Sequence, residues 1–147
     1  MNEAVSAGFN ENEQYAKLPP LKGAAPRELA EALRDILDMK KGRDIKVLHV
    51  GDKTPIADYF VLCTGNSTTQ IKGLAEEVEF KTSLRGLPPQ GVEGRGNGSW
   101  VLLDYGSVIV HIFSQQAREF YNLDKLYGST EIAISDNQKR ESNEIQS

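Results

Sequence analysis

The sequence feature that most constrains the fold is an apolar stretch over residues 100–113, WVLLDYGSVIVHIF, which is rich in β-branched residues. Val and Ile suit a pleated strand, and Gly106 can adopt the positive φ that a short hairpin loop requires. The stretch therefore predicts two antiparallel strands joined by a type I turn over residues 103–106. Apolar residues occupy both parities of each strand, which predicts a sheet covered on both faces.

Helical and strand patterns lie on both sides of this hairpin. Pro26 suits the first position of a helix, and the apolar residues that follow it repeat at helical spacing. Ser67 and Gln70 form a capping box that predicts the start of a second helix. Strands are predicted over residues 44–50, 58–64 and 92–93, and a short helix is predicted after Ser114. Together these patterns predict an α/β fold with a mixed β-sheet of about five strands packed with helices.

The chain length of 147 residues predicts one structured domain with two polar ends. Pro19-Pro20 and Gly23 interrupt any helix near the start, so residues 1–25 are predicted to form a flexible arm. The alternative is that this arm docks on the domain through Phe9, Tyr15 or Leu18. The domain is predicted over residues 26–128, and residues 129–147 are predicted to be a disordered polar tail.

Composition narrows the cellular setting and the class of partner. Cys63 is the only cysteine, so no intrachain disulfide can form and a reducing compartment is expected. The sequence contains neither a secretory signal pattern nor the ~20-residue apolar run of a membrane span, which predicts a cytoplasmic protein without membrane contact. A net charge of −4 argues against broad binding to a phosphate backbone and favours a protein partner.

An enzymatic function remains an alternative, because residues 65–67, Gly-Asn-Ser, leave a predicted strand and begin a helix whose amides could receive a phosphate. Nucleotidyl transfer also needs paired carboxylates that hold metal ions. Asp104 stands alone at the hairpin turn, and only Asp58 or Glu93 could serve as its partner. No histidine or cysteine has metal-ligand spacing, and both histidines lie in predicted strands.

A binding surface is the other hypothesis. Aromatic residues with polar tips, combined with acidic residues, are typical of protein interfaces. The residues of this type are Trp100, Tyr59, Tyr105, Tyr121, Asp58, Glu93 and Asp104. Phe80 lies opposite the apolar stripe of its helix, which indicates either a single exposed apolar residue or a surface for self-association.

A series of short motifs, in order and at characteristic spacing over residues 27–128, resembles the ribosomal silencing factor family, also called Iojap-like. The motifs are Asp58-Tyr59-Phe60, Thr64-Gly65-Asn66-Ser67 with Gln70, Val92-Glu93-Gly94, residues 100–106, Val110-His111-Ile112-Phe113, Arg118-Glu119, Tyr121-Asn122-Leu123 and Leu126-Tyr127. Tyr127 stands where this family commonly has Trp. No single motif is decisive, but the combination is specific.

The resemblance implies a nucleotidyltransferase-like topology without catalytic residues, without a bound metal and without a cofactor. It also implies a homodimer that binds large-subunit ribosomal protein fourteen, blocks association of the two ribosomal subunits and represses translation when nutrients are scarce. No sequence-specific contact with nucleic acid is expected. The partner-binding residues that it implies are Trp100, Asp104, Tyr105 and Glu93, followed by Asp58 and Tyr59. His111, Arg118 and Tyr121 are expected to maintain the shape of the surface.

Overall fold

A computed structural model of the chain describes residues 11–133. Its elements are α1 (residues 11–16), α2 (Pro26–Met39), β1 (Arg43–His49), β2 (Tyr59–Thr64), α3 (Thr68–Leu84), β3 (Gly91–Glu93), β4 (Trp100–Asp104), β5 (Val108–Phe113), α4 (Gln115–Tyr121), α5 (Leu123–Tyr127), a 3₁₀ helix (Gly128–Thr130) and β6 (Glu131–Ile132). The predicted α/β fold, with helices packed on a mixed sheet, is confirmed. None of the helices described in this range has the length and apolar character needed to cross a membrane.

The sheet has six strands in the order β3-β4-β5-β2-β1-β6. β2 and β5 run parallel, because α3 crosses between the two halves, and the other neighbouring strands are antiparallel. The sheet has one strand more than the sequence predicts. That strand is β6, whose two residues pair with Val47 and Leu48 at the β1 edge, and so short a strand carries no recognisable pattern.

The first face of the sheet, here called the helical face, is covered by α2 and α3. Both helices bury an apolar stripe against strand residues of one parity, including Val61, Val101 and Val110. The predicted start of α3 is confirmed, since the Ser67 hydroxyl accepts a hydrogen bond from the Gln70 amide at 3.1 Å. The exposure predicted for Phe80 is also confirmed, at 47%.

The second face of the sheet is only partly covered. α4 and α5 pack Ala117, Leu123 and Tyr127 against an apolar cluster that includes Phe60 and Phe113. Those partners belong to β2 and β5, and neither short helix extends over β3 and β4. The part of this face formed by β3 and β4 therefore remains open, unlike the predicted sheet with both faces covered.

The segment that precedes α2 contacts the domain, which differs from the flexible arm predicted for it. Leu21 is buried and its amide donates to the Arg85 carbonyl at 2.9 Å. The Tyr15 ring lies 4.7 Å from the Lys81 ammonium, in a cation–π contact. Residues 11–25 thus correspond to the docked alternative, with Tyr15 as one of its contacts. Residues 1–10 and 134–147, and Phe9 with them, lie outside the described residues.

At the other end, the structure extends the domain beyond the predicted boundary at residue 128. β6 joins the sheet and Ser129 accepts a hydrogen bond from Lys53 at 3.0 Å. Residues 129–133 are therefore structured, in contrast to the tail predicted from residue 129. This short extension is stabilised by strand pairing rather than by an apolar pattern of its own.

Candidate docking surface

The hairpin turn has the predicted left-handed glycine, with Gly106 at φ +83°. The Asp104 carboxylate accepts a hydrogen bond from the Gly106 amide at 2.7 Å. Such a side-chain bond to the backbone two residues later is how Asp stabilises a tight turn. Asp104 therefore has a structural role in the turn, and its carboxylate is only partly free for a partner.

The six residues predicted to bind a partner divide between the two ends of the sheet. Trp100 pairs with Phe113 and Asp104 pairs with Ile109, so the two ends of β4 are about 14 Å apart at the usual rise per residue. Glu93 pairs with Leu102, within the half of β4 that begins at Trp100. Asp58, Tyr59 and Tyr105 lie with Asp104 at the opposite end, where the Asp58 amide donates to the Ser107 carbonyl at 2.8 Å.

Two of the six residues belong to the core of the helical face. Tyr105 is 4% exposed and its hydroxyl bonds to the Thr82 hydroxyl of α3 at 2.8 Å. Burial raises the pKa of Tyr105 well above its usual value. Tyr59 is 8% exposed and its ring stacks on His49 at 4.7 Å between centroids. The burial of both rings argues against the partner contacts predicted for them, because neither can reach a partner without unpacking the core.

The open part of the second face brings together residues that a partner can reach. Residues of one strand parity, Glu93 of β3 with Trp100 and Leu102 of β4, lie side by side there. With Gly94 and Asn97 they line a groove of about 310 Å³. Tyr121 of α4 extends this surface, since its ring lies 4.3 Å from that of Trp100. We call Glu93, Asn97, Trp100, Leu102 and Tyr121 the docking face.

Trp100 is held in place from three directions. The Asn97 side chain accepts hydrogen bonds from the amides of Ser99 and Trp100 at 2.9 and 3.1 Å. A Cβ added at Gly94, which has φ +85°, would lie 2.1 Å from the Trp100 carbonyl oxygen, so only glycine fits there. The glycine-rich loop between β3 and β4 thus positions the indole at the edge of the docking face.

His111 forms the floor beneath Trp100. The indole N–H donates to its Nδ1 at 3.2 Å, while Nε2 is buried and has no hydrogen-bond partner in the described chain. Burial lowers the pKa of His111 to about 4, so the imidazole is neutral near pH 7 and accepts the indole hydrogen. This agrees with the expectation that His111 maintains the shape of the surface.

Arg118 connects α4 and α5 to the sheet. It is 5% exposed and forms a two-point ion pair with Asp124, at 2.9 and 2.8 Å. The same guanidinium donates to the Thr64 hydroxyl at 2.8 Å and to the Asp44 carbonyl. The hydrogen bond from Arg118 holds the pKa of Asp124 below its usual value. The pair fixes the two helices on the sheet and thereby supports Tyr121 beside Trp100.

The geometry disfavours the nucleotidyl-transfer alternative. Two amides of the Gly65-Asn66-Ser67 segment are already bonded within the chain: Gly65 donates to the Phe113 carbonyl, and Asn66 donates to the Gln70 side chain. The segment follows Thr64, which lies in the same row as Phe113 and Trp100. Asp104 therefore lies about 14 Å away along the strands, at the other end of the sheet. A phosphate at this segment would not meet that carboxylate.

Sequence reasoning missed two residues of this region. Leu102 shares its strand parity with Trp100, so alternation along β4 could have identified it. Phe120 is 79% exposed and contacts the Tyr121 ring edge-on at 5.0 Å between centroids. The same alternation assigns Tyr105 to the helical face with Val101 and Leu103, and it could have removed that residue from the predicted surface.

Comparison with known proteins gives a consistent result over most of the chain. A family model described as "Ribosomal silencing factor during starvation" matches residues 24–147. The chain is 37% identical over 99 residues to ribosomal silencing factor RsfS of Bacillus subtilis, which covers 67% of this chain and 84% of that relative. It is also 37% identical over 99 residues to the protein of the same name from Haemophilus influenzae, covering 67% of this chain and 97% of that relative.

Solved structures give the same answer for the fold. A crystal structure from Chromobacterium violaceum aligns with a TM-score of 0.69 at 32% identity, covering 71% of this chain and 88% of that one. One from Bacillus halodurans aligns with a TM-score of 0.65 at 31% identity, covering 73% of this chain and 98% of that one. The resemblance carried by the sequence motifs is confirmed: this chain belongs to the ribosomal silencing factor family.

Proposed function

We propose that this protein binds the large ribosomal subunit through ribosomal protein fourteen, prevents association with the small subunit and represses translation under nutrient limitation or in stationary phase. The observation that carries the proposal is the docking face, an uncovered aromatic and acidic surface on a chain of this family. The mechanism is steric exclusion in the cytoplasm, with neither turnover nor cofactor. A mouse relative, 29% identical over 100 residues, is named for mitochondrial assembly of the ribosomal large subunit, which supports a large-subunit partner.

The chemistry of the docking face suits a basic ribosomal protein. Glu93 is exposed, and no Lys or Arg lines the groove beside it. Trp100 and Tyr121 present large aromatic surfaces with few rotatable bonds, so ordering them costs little entropy on binding. Complementary charge increases the association rate and orients the two proteins, while the aromatic contacts supply most of the affinity.

The proposed mechanism requires a rigid obstacle, and the fold provides one. The docking face lies on the central sheet, which is packed on its other face by α2 and α3. When the docking face is bound, these helices project away from the large subunit. A small subunit that approaches the same position would meet a packed core rather than a loop, because displacing it would require unfolding the domain.

We further propose that the free protein is a homodimer. Two exposed apolar surfaces could pair: the docking face around Trp100, and the outer side of α3 around Phe80. Sedimentation equilibrium with Trp100→Ala and Phe80→Ser separates these possibilities. Dissociation by only one substitution identifies the interface, whereas a wild-type protein that sediments as a monomer contradicts the dimer.

The functional proposal is tested by sedimentation of purified ribosomal subunits. The protein is mixed with large subunits, small subunits or both, at a magnesium concentration that supports joining. We expect it to co-sediment with large subunits alone and to reduce the amount of joined ribosomes as its concentration increases. Absence from the large-subunit fraction, or undiminished joining at saturating protein, would overturn the proposal.

A further inference from the structure

The end of the sheet that carries Trp100 also carries a group of basic residues. Cα pairing places Arg43, Thr64, Phe113 and Trp100 in one row across β1, β2, β5 and β4. Three strand spacings separate Arg43 from Trp100, or about 14 Å. The docking face and the start of β1 therefore lie along the same end of the sheet.

Three exposed cations occupy the β1 side of this end: Lys40, Lys41 and Arg43. Within residues 11–133, none of them takes part in an ion pair. Asp44, also exposed, is the acidic residue next to them in the sequence, so the group retains excess positive charge. This contrasts with the chain as a whole, whose net charge is −4. We call Lys40, Lys41 and Arg43 the basic corner.

The backbone of the basic corner is fixed by hydrogen bonds rather than left mobile. The Lys41 amide donates to the Asp38 carbonyl at 3.0 Å, and the Lys41 carbonyl accepts from the Gln70 side chain at 3.2 Å. The Arg43 guanidinium donates to the Asn66 side chain, just before the start of α3. The cations are thus held near the positive end of the α3 dipole and near the exposed hydroxyls of Thr68 and Thr69.

We propose that the basic corner contacts the RNA phosphate backbone of the large subunit while the docking face binds ribosomal protein fourteen. The proposal rests on the proposed function and adds a second class of partner to it. Phosphate groups are bound by Lys and Arg, by hydroxyls and by helix N-termini, and this corner presents all three without a side chain placed to read bases. The contact is one of charge, so it agrees with the absence of sequence-specific nucleic-acid binding.

The separation of charge along this end of the sheet favours RNA over a second protein contact. Glu93 lies on the β3 side and the basic corner on the β1 side, with the aromatic part of the docking face between them. A ribosomal surface combines basic protein with anionic RNA, so a polarised edge matches both components at once. An acidic protein at the same corner is the competing occupant, and the experiment distinguishes it.

The test compares two triple variants that lower the charge equally. Lys40→Gln/Lys41→Gln/Arg43→Gln removes the basic corner. The control, Lys17→Gln/Lys22→Gln/Lys53→Gln, removes exposed cations elsewhere, before α2 and in the β1–β2 turn. The Kd for intact large subunits and for isolated ribosomal protein fourteen is measured between 50 and 200 mM salt. Because Arg43→Gln alters a contact with Asn66, the double variant Lys40→Gln/Lys41→Gln is measured as well.

We expect the wild type and the control to lose affinity for large subunits steeply as salt increases, and the basic-corner variant to lose less. Each lost phosphate contact reduces the salt slope by about 0.7 to 0.9, so three contacts predict a difference of about 20- to 40-fold in how much affinity falls over this range. The double variant should show about two thirds of the change in slope. Affinity for isolated ribosomal protein fourteen should not change.

Three results would overturn the inference. Equal salt slopes for the basic-corner variant and the control would show that these cations make no phosphate contact. Reduced affinity of the basic-corner variant for isolated ribosomal protein fourteen would assign the corner to that protein instead. An unchanged slope accompanied by weaker binding to intact subunits would point to a different, protein partner. Failure of the wild type to bind large subunits at all is a separate outcome, which overturns the proposed function as well.

Discussion

The two aromatic residues at the ends of the β4 region show how the two faces of the sheet differ. Tyr105 faces α3, is 4% exposed and has its hydroxyl bonded to Thr82. Trp100 faces the other side, where no helix covers it, and it forms one wall of the groove. Aromatic character is thus no guide to binding by itself, because the covering of each face decides which ring can meet a partner.

The faces also differ in what holds their helices in place. α2 and α3 are held by a broad apolar core, in which Leu33, Leu37 and Leu74 are almost completely buried. α4 and α5 are short, and they depend on the buried Arg118 and its partners. The helical face therefore provides stability, and the second face combines a local polar clamp with an open surface. Four substitutions or conditions test this contrast.

The largest effect is expected from Arg118→Ala. This change leaves Asp124 without its two-point partner and removes the bond to Thr64, so unfolding should become easier by about 3–5 kcal/mol. Urea denaturation measures the loss. Arg27→Ala is the matched control, because its ion pair with Glu31 is exposed, and it should cost about 0.5 kcal/mol or less. Equal losses for the two variants would contradict the clamp.

Trp100→Ala is expected to have the largest effect on binding. Loss of an aromatic residue at the centre of an interface costs about 2–4 kcal/mol, or roughly 30- to 1,000-fold in the Kd for large subunits. Since Trp100 is half-buried, thermal unfolding is measured in parallel, and the exposed Glu93→Lys provides a second test without loss of packing. Leu126→Ala, at a residue 61% exposed on α5, should bind as the wild type does.

The buried imidazole beneath Trp100 predicts a pH dependence of stability. The folded pKa of His111 is about 4, against an ordinary value of 6.5. Between these values the unfolded chain binds a proton that the folded chain does not. The free energy of unfolding should therefore fall by up to about 3 kcal/mol as the pH decreases from 6.5 to 4.

Replacement of this histidine isolates its contribution. His111→Gln retains an acceptor for the Trp100 indole but removes the titrating group, so denaturation midpoints should fall less steeply over this pH range. His49→Gln, at an exposed histidine, should retain the wild-type slope. If both variants follow the wild type, the pH dependence originates elsewhere.

The smallest effect is expected from Tyr105→Phe. The substitution removes only the hydroxyl bonded to Thr82, which should cost about 1 kcal/mol of stability. Affinity for large subunits should remain unchanged, in contrast to Trp100→Ala. Weaker binding by Tyr105→Phe, with the fold intact, would restore this residue to the docking surface and contradict the division between the two faces.

The patterns that predicted the fold were local and strong. The capping box at Ser67, the left-handed Gly106 and the β-branched runs each describe a few neighbouring residues, and the structure contains all of them. β6 and the docked segment around Leu21 depend instead on contacts with distant residues, Val47 and Arg85 respectively. Neither has a repeating apolar pattern, so tertiary contacts alone determine their structure.

The docking surface was predicted only in part, for a related reason. Composition identified Trp100 and Glu93 correctly as residues on an exposed face, but it grouped them with Tyr59 and Tyr105, which are buried. Alternation along β4 separates Trp100 from Tyr105. It does not show which face is left open, because that depends on how far α4 and α5 extend over the sheet. Register and helix length together supply this information.

Site-directed photocrosslinking tests the central claim, that the docking face contacts ribosomal protein fourteen, most directly. The only native thiol, Cys63, is buried, and burial raises its pKa to about 12, so an introduced exposed cysteine is selectively labelled. A photoreactive probe is attached at Glu93→Cys on the docking face, or at Phe80→Cys on α3. With intact large subunits, we expect the probe at position 93 to crosslink ribosomal protein fourteen and the probe at position 80 not to do so. Crosslinking of that protein from position 80 but not from position 93 would contradict the account.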